Sequence, residues 1–315
     1  MDINDIKEAQ SRIAPQVKRT PLEYCTALSR RLGTNVFVKY ELFQKTGSFK
    51  ARGAFNKLLS LTKADLSGGV VAVSGGNHAQ AVAYASSILG LDAVVLMARS
   101  TPQFYIDATR SYGATVDLQP TIADAFEKAK AYQAEGRVFL HPFDDPLIMA
   151  GQGTVGLEIM EDLPDVTDVI VSIGGGGLAG GVSTAVKAIN SKTRVWGVET
   201  AGAEAMSQAL SAGHPVEVVN TSIAKTLGAP SVSNATLQLA QKFLESVTVV
   251  TDEEAVRELL YISERLKVIT EPAASCTLAA AERLRSNFTP ESRVVLILCG
   301  GNTSIGDVCG YMSAM

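Results

Sequence analysis

The chain has 315 residues, 46% of them hydrophobic and 19% charged, and a formal net charge of -4. A length above about 250 to 300 residues usually divides into two cores, and a mildly acidic chain without a long basic run has no electrostatic footprint for nucleic acid or an anionic membrane. No apolar run comes near the roughly 20 residues of a membrane helix, so a soluble globular protein with a small-molecule partner is expected.

The N-terminus, Met1-Asp2-Ile3-Asn4-Asp5-Ile6-Lys7-Glu8, mixes both charge signs and lacks the basic start and apolar stretch of a secretory signal. That makes a cytoplasmic location the expectation. Cys25, Cys276, Cys299 and Cys309 include no pair at CxxC spacing and read as thiols. His78, His141 and His214 are scattered, no metal-ligand spacing is present, and no metal site is assigned.

The first segment with chemical content is Thr46-Gly47-Ser48-Phe49-Lys50-Ala51-Arg52-Gly53-Ala54-Phe55. Ser48 reads as a helix N-cap, placing Lys50 in the first turn beside the positive end of the helix dipole. Burial and the dipole both favour the neutral amine, the form that condenses with an aldehyde cofactor. A lone lysine on a helix is more commonly a solvated one, so Lys50 takes its meaning from the other motifs.

Val70-Val71-Ala72-Val73 reads as a buried strand that runs into Ser74-Gly75-Gly76-Asn77-His78-Ala79-Gln80 and a helix containing Ala81 to Ala85. Free N–H groups, a hydroxyl and an amide gathered at a helix start suit a carboxylate; a capped helix with a core histidine is the plainer alternative. A second strand, Ala93 to Met97, precedes Thr101-Pro102, and a helix follows from Ile122 to Ala134 with Ala123, Ala125, Phe126 and Ala129 as apolar positions.

Asp168 to Ile173 is a third strand, ending in Gly174-Gly175-Gly176-Gly177 with a helix opening near Leu178. Glycines let backbone N–H groups turn inward and the helix N-terminus adds partial positive charge, so this loop suits a phosphate. No Gly-Lys-Ser/Thr follows, which excludes a Walker loop, and the run, with its follow-up, does not make a convincing dinucleotide fingerprint. A helix from Asp252 to Leu266 carries a core stripe of Leu259, Leu260, Ile262 and Leu266, and the last strand, Val294 to Leu298, runs into Cys299-Gly300-Gly301-Asn302. Strands alternating with helices define an α/β chain with parallel sheets, and unbroken apolarity marks strands covered on both faces.

Taken together, GSFKARGA at 47–54, SGGNHAQ at 74–80, HPFDDPLIMAGQGT at 141–154, GGGGLAGG at 174–181, EPAAS at 271–275 and CGGN at 299–302 resemble the threonine and serine dehydratases of the tryptophan-synthase-β group. These enzymes depend on pyridoxal 5′-phosphate (PLP) and have the architecture called fold type II. The resemblance spans most of the chain, in order. It implies two three-layer α/β domains with largely parallel sheets: a large cofactor-binding domain of residues 1–45 plus 144–315, and a small mobile substrate domain of residues 46–143. A homodimer is implied as well. With no linker or repeat to mark them, the domain limits rest on the resemblance alone.

For the site, the resemblance implies that Lys50 carries PLP and removes the substrate α-proton, that Phe49 packs beside the cofactor, and that Asn77 hydrogen-bonds its phenolic oxygen. Gly174, Gly175, Gly176, Gly177 and Leu178 hold the phosphate through backbone N–H groups, while Ser74, Gly75, Asn77 and His78 grip the substrate carboxylate. Glu271 lies in the segment that passes near the ring, and Cys299 stands beside the pyridine nitrogen. A neutral thiol there, in place of a carboxylate, makes a weaker electron sink and favours prompt loss of a β leaving group over transamination. The implied reaction is elimination of water from an L-β-hydroxy amino acid of threonine or serine type, giving a 2-oxo acid and ammonia.

The chain departs from relatives at three places. Racemases of the group carry a serine where this chain has Gly75, which cannot donate a proton, so racemisation is disfavoured. Glu199 is retained from a cation site of some relatives, but Ala205 falls where an aspartate is expected. Phe104 and Tyr105 stand where relatives often have a small residue and a lysine, either packing in the smaller domain or lining a pocket for a bulkier substrate such as phenylserine. The alternatives are therefore a dehydratase for phenylserine or 3-hydroxyaspartate, a PLP-dependent β-replacement synthase, and a binding protein without turnover.

Overall fold

The computed structural model describes residues 1–313. Its strands, in chain order, are β1 (Leu22–Tyr24), β2 (Asn35–Lys39), β3 (Val70–Val73), β4 (Ala93–Ala98), β5 (Thr115–Gln119), β6 (Val138–Leu140), β7 (Asp168–Ser172), β8 (Arg194–Thr200), β9 (Ser246–Val250) and β10 (Arg293–Ile297). They form a six-stranded sheet ordered β1-β2-β10-β7-β8-β9 and a four-stranded sheet ordered β5-β4-β3-β6. Every pairing is parallel except β1 with β2.

The central strands are those with unbroken apolar runs. All four residues of β3 and all five of β7 are buried, as strands covered by helices on both faces must be. β3 registers Val70 opposite Ala93 of β4 and Val138 of β6, and β10 registers Val294 opposite Val36 of β2 and Asp168 of β7. The helices Ile122–Ala134 and Asp252–Leu266 have the bounds their apolar stripes predict, each opened by a threonine capping box.

Ser48 differs from its reading as an N-cap. It is extended (φ -161°, ψ 161°), Phe49 occupies the cap position without a side-chain bond, and the helix runs Lys50–Leu59. Ser48 instead bridges to Gly300 in antiparallel fashion, so the chain enters the helix from a pairing that residues 252 positions away supply. No local signal reveals such a partner.

The helix Pro146–Asp162 is the spine between the sheets, buried from Ile148 to Met160. Glycines bring two other helices onto it at near-backbone contact. A Cβ on Gly151 would stand 2.6 Å from Gly53 Cα in the helix that begins at Lys50, and one on Gly181 would stand 2.4 Å from Met149 O. Gly181 belongs to the helix Gly177–Ile189, which begins at the tetraglycine turn. The lysine and the glycine turn are thus set in register by one rigid element.

Beside this contact lies a buried ion network. Arg52 donates through Nε and Nη2 to Glu41 (2.8 Å each) and through Nη1 and Nη2 to Glu158 (2.7 and 2.9 Å). Lys39 Nζ meets Glu158 Oε2 at 2.5 Å and Thr20 O at 2.7 Å, and Thr20 Oγ1 donates to Glu41. Two cations face two carboxylates, and each is supplied with hydrogen bonds, the condition under which buried charge is tolerated. Burial alone would raise the Glu158 pKa, but Arg52 and Lys39 outweigh it and hold the carboxyl below its usual range. Among the described residues no helix is long and apolar enough to cross a membrane.

Candidate active site

The loops that follow β3, β7 and β10 leave the carboxyl ends of central parallel strands, where open α/β sheets place their ligands. Together with Phe49, Lys50 and the return passage Pro142-Phe143 they enclose a cavity of about 470 Å³ between the two sheets. The structure brings Phe49, Lys50, Ser74, Gly75, Asn77, His78, Gly174, Gly175, Gly176, Gly177, Leu178 and Cys299 to its lining. Glu271 stands behind it and is reached through Asn77 and Thr226.

Lys50 faces the cavity, and its Nζ donates to Pro142 O at 2.6 Å. Among the described residues no carboxylate pairs with it. Desolvation by the surrounding protein pushes its pKa down to about 8, slightly opposed by Cys299. Phe49 lies alongside, its ring centroid 5.2 Å from Nζ.

Two helix N-termini open on the same space. At the first, Gly76 caps the helix Asn77–Ile88, Ser74 Oγ accepts from Gly76 N–H, and the N–H groups of Gly75, Asn77 and His78 donate to no protein acceptor among the described residues. At the second, the N–H groups of Gly174 to Leu178 are likewise unengaged, and Gly176 adopts φ +91°. The tetraglycine has a packing reason besides. A Cβ on Gly175 would stand 2.1 Å from the Phe143 ring, and one on Gly174 would stand 3.0 Å from Leu227 O. Phe143 was not read as a site residue; its packing partner lies some thirty residues on, beyond any local pattern.

Burial pushes the Cys299 thiol up to about 12, so it is protonated; its Sγ lies 3.3 Å from Ser172 Oγ. His78 Nε2 lies 2.9 Å from Leu140 O and, facing a carbonyl, donates its proton, so Nδ1 is the bare ring nitrogen, buried and without a partner among the described residues. Burial, then the charge of Lys50, lowers the His78 pKa to about 3 and keeps the ring neutral. Glu271 accepts from Asn77 Nδ2 (2.8 Å), Thr226 Oγ1 (2.6 Å) and Asn302 N–H (3.0 Å), and burial raises its pKa.

Tyr105 lines the cavity and donates its hydroxyl to Asn302 O at 2.7 Å, whereas Phe104 is exposed and edge-stacked on it. A Cβ on Gly75 would stand 2.7 Å from Thr101 Oγ1, so no side chain fits there without displacing Thr101. Glu199 is committed to the helix Ala205–Ala212: its carboxylate accepts from Met206 N–H, Ser207 N–H and Ser207 Oγ, while burial lifts its pKa to about 7.

An amine without an anion, two unengaged anion cradles and a neutral thiol fit a phosphorylated aldehyde of a pyridine together with an amino-acid carboxylate. This defines a PLP-dependent enzyme of fold type II. The model of the family described as "Pyridoxal-phosphate dependent enzyme" matches residues 13–300, and the chain belongs to that family. It is 41% identical to an L-threonine ammonia-lyase of Thermotoga maritima over 306 residues (96% of this chain, 76% of the relative). It is 37% identical to the catabolic L-threonine dehydratase TdcB of Escherichia coli over 319 residues (99% and 97%). The structure of maize serine racemase superposes with a TM-score of 0.93 at 36% identity, covering 99% of this chain and 97% of that one.

Proposed function

We propose that the protein is a PLP-dependent ammonia-lyase that removes water from an L-β-hydroxy amino acid of the threonine or serine type, releasing a 2-oxo acid and ammonia. The observation that carries this reading is the placement of an unpaired Lys50 between two helix N-termini with free N–H groups, in one cavity walled by a protonated Cys299. PLP bound there supplies the electron sink that makes the substrate α-hydrogen acidic.

The residues do the rest. Gly174 to Leu178 hold a phosphate by backbone N–H groups, and Gly75, Asn77 and His78, with the Ser74 hydroxyl, hold the substrate carboxylate. Lys50 Nζ, neutral in an appreciable fraction near neutrality, accepts the α-proton. Phe49 would pack beside the bound cofactor. Asn77, whose Nδ2 donates to Glu271 at 2.8 Å, would offer its amide to the phenolic oxygen, and Cys299 would supply a neutral thiol to the pyridine nitrogen. Gly75 offers no proton donor, which favours elimination over racemisation. The small domain of residues 46–143 moves against 1–45 plus 144–315 to enclose substrate, and the enzyme acts as a cytoplasmic homodimer.

The test is 2-oxo acid release from L-threonine, L-serine, threo-3-hydroxyaspartate and threo-phenylserine, beside a Lys50→Ala variant. Release that vanishes in the variant supports the lyase and ranks its substrates. With PLP demonstrably bound, silence from the whole panel sinks it.

A further inference from the structure

Asn302 joins four segments of the cleft that are distant from it in sequence. Its Nδ2 donates to Thr46 O and to Asn77 Oδ1, both at 2.7 Å. Its backbone N–H donates to Glu271 Oε1 at 3.0 Å, and its carbonyl accepts from Tyr105 Oη at 2.7 Å. Both amide hydrogens are therefore used. Its Oδ1 lies 2.6 Å from where a Cβ on Gly47 would stand, so the side chain is packed against the backbone of the segment it holds.

Thr46 is where that grip matters most. It adopts φ +60°, ψ 17°, and Gly47 follows at φ +73°. A β-branched residue in the left-handed region is strained and persists only where its surroundings impose the conformation. The surroundings here are residues 299–302: Phe49 N–H donates to Cys299 O (3.1 Å), Gly301 N–H donates to Gly47 O (3.0 Å), and Ser48 pairs with Gly300. Asn302 Nδ2 closes this short ladder at Thr46 O. The Thr46 hydroxyl is buried without a partner among the described residues and contributes no restraint of its own. Four residues later the chain reaches Lys50.

We propose that Asn302 is a positioning residue. It holds Thr46 in the left-handed conformation so that Lys50 Nζ stands at the cavity floor, and through Asn77 it keeps the anion-binding loop after β3 in register with that amine. The inference rests on the proposed role of Lys50, and it is tested on a step that needs no substrate.

Cofactor-free wild type, Asn302→Ala, Thr46→Gly and the double variant are compared for the rate at which added PLP is captured covalently, followed by absorbance, with thermal unfolding alongside. Displacing the amine slows capture by at least about tenfold in Asn302→Ala and lowers kcat on L-threonine more than it raises KM. Glycine takes the left-handed conformation unaided, so Thr46→Gly in the Asn302→Ala background restores capture to within about threefold of the Thr46→Gly single variant. Asn302→Asp, which keeps the shape and removes the donor hydrogens, shows the same loss and serves if the alanine variant does not fold. Capture by Asn302→Ala within about twofold of wild type overturns the proposal, as does a loss that Thr46→Gly leaves unrepaired. Capture that follows the expected pattern in a wild type that releases no 2-oxo acid sinks the lyase reading and leaves the role of Asn302 standing.

Discussion

Lys39 and Lys50 stand in two parts of one interior and carry opposite arrangements. Lys39, fully buried, has Glu158 and a backbone carbonyl at its ammonium, inside a network that also satisfies Arg52 and Glu41. Among the described residues Lys50 has only Pro142 O, and its pKa falls to about 8. Arg52, two residues from Lys50 on the same helix, is engaged by two carboxylates whose attraction outweighs burial and raises its pKa. Desolvation acts at Lys50 and at Arg52 alike; whether an anion is supplied decides whether the group keeps its charge or is ready to give it up.

The sharpest way to break this contrast is Lys50→Ala. It abolishes 2-oxo acid release by about 10⁴-fold or more, because the proposed proton acceptor is lost. The same variant unfolds within about 1 kcal/mol of wild type by denaturant titration, since no buried anion is left behind. Arg52→Met does the reverse: it leaves Glu41 and Glu158 facing each other with only Lys39 and costs about 3 to 5 kcal/mol of stability, read from the same titration.

The pH dependence of Lys50 is the next probe. For a group with a lowered pKa, the free amine grows as pH rises through the folded value, so PLP capture by the cofactor-free protein rises roughly tenfold between about pH 7 and about pH 9 and then levels off. A profile still climbing well above that range would mean that Lys50 is not desolvated as described. Thr20→Val is the mildest probe. Removing one hydroxyl from Glu41 costs about 1 kcal/mol in unfolding free energy and leaves the capture profile unchanged.

How much of this was legible depends on distance along the chain. Strands β3, β4, β7 and β10 announced themselves through unbroken apolar runs, and the helices Ile122–Ala134 and Asp252–Leu266 through apolar stripes, all local signals. The glycine turn after β7 was also visible, though Phe143 and Leu227, which require three of its glycines to be bare or nearly so, were not. Ser48 misled because its partner, Gly300, lies at the other end of the sequence. Arg52 was quoted inside a motif without a role, since Glu41 and Glu158 reach it only after folding. Asn302 closed another motif in the same way, and its contacts with Thr46, Asn77 and Tyr105 join segments that only the fold brings together.

The small sheet is spliced into the chain between β2 and β7, so the polypeptide crosses between the halves twice, outward through Thr46 to Lys50 and back through Pro142-Phe143. Lys50 Nζ bonds to Pro142 O, which places the two crossings side by side at the lysine. In mechanical language the amine sits at the junction of the two crossings. Under the proposed movement of residues 46–143, points on the cavity walls travel in proportion to their distance from that line, and Lys50 Nζ travels least. On that proposal the entrance opens for traffic while the working point keeps its address.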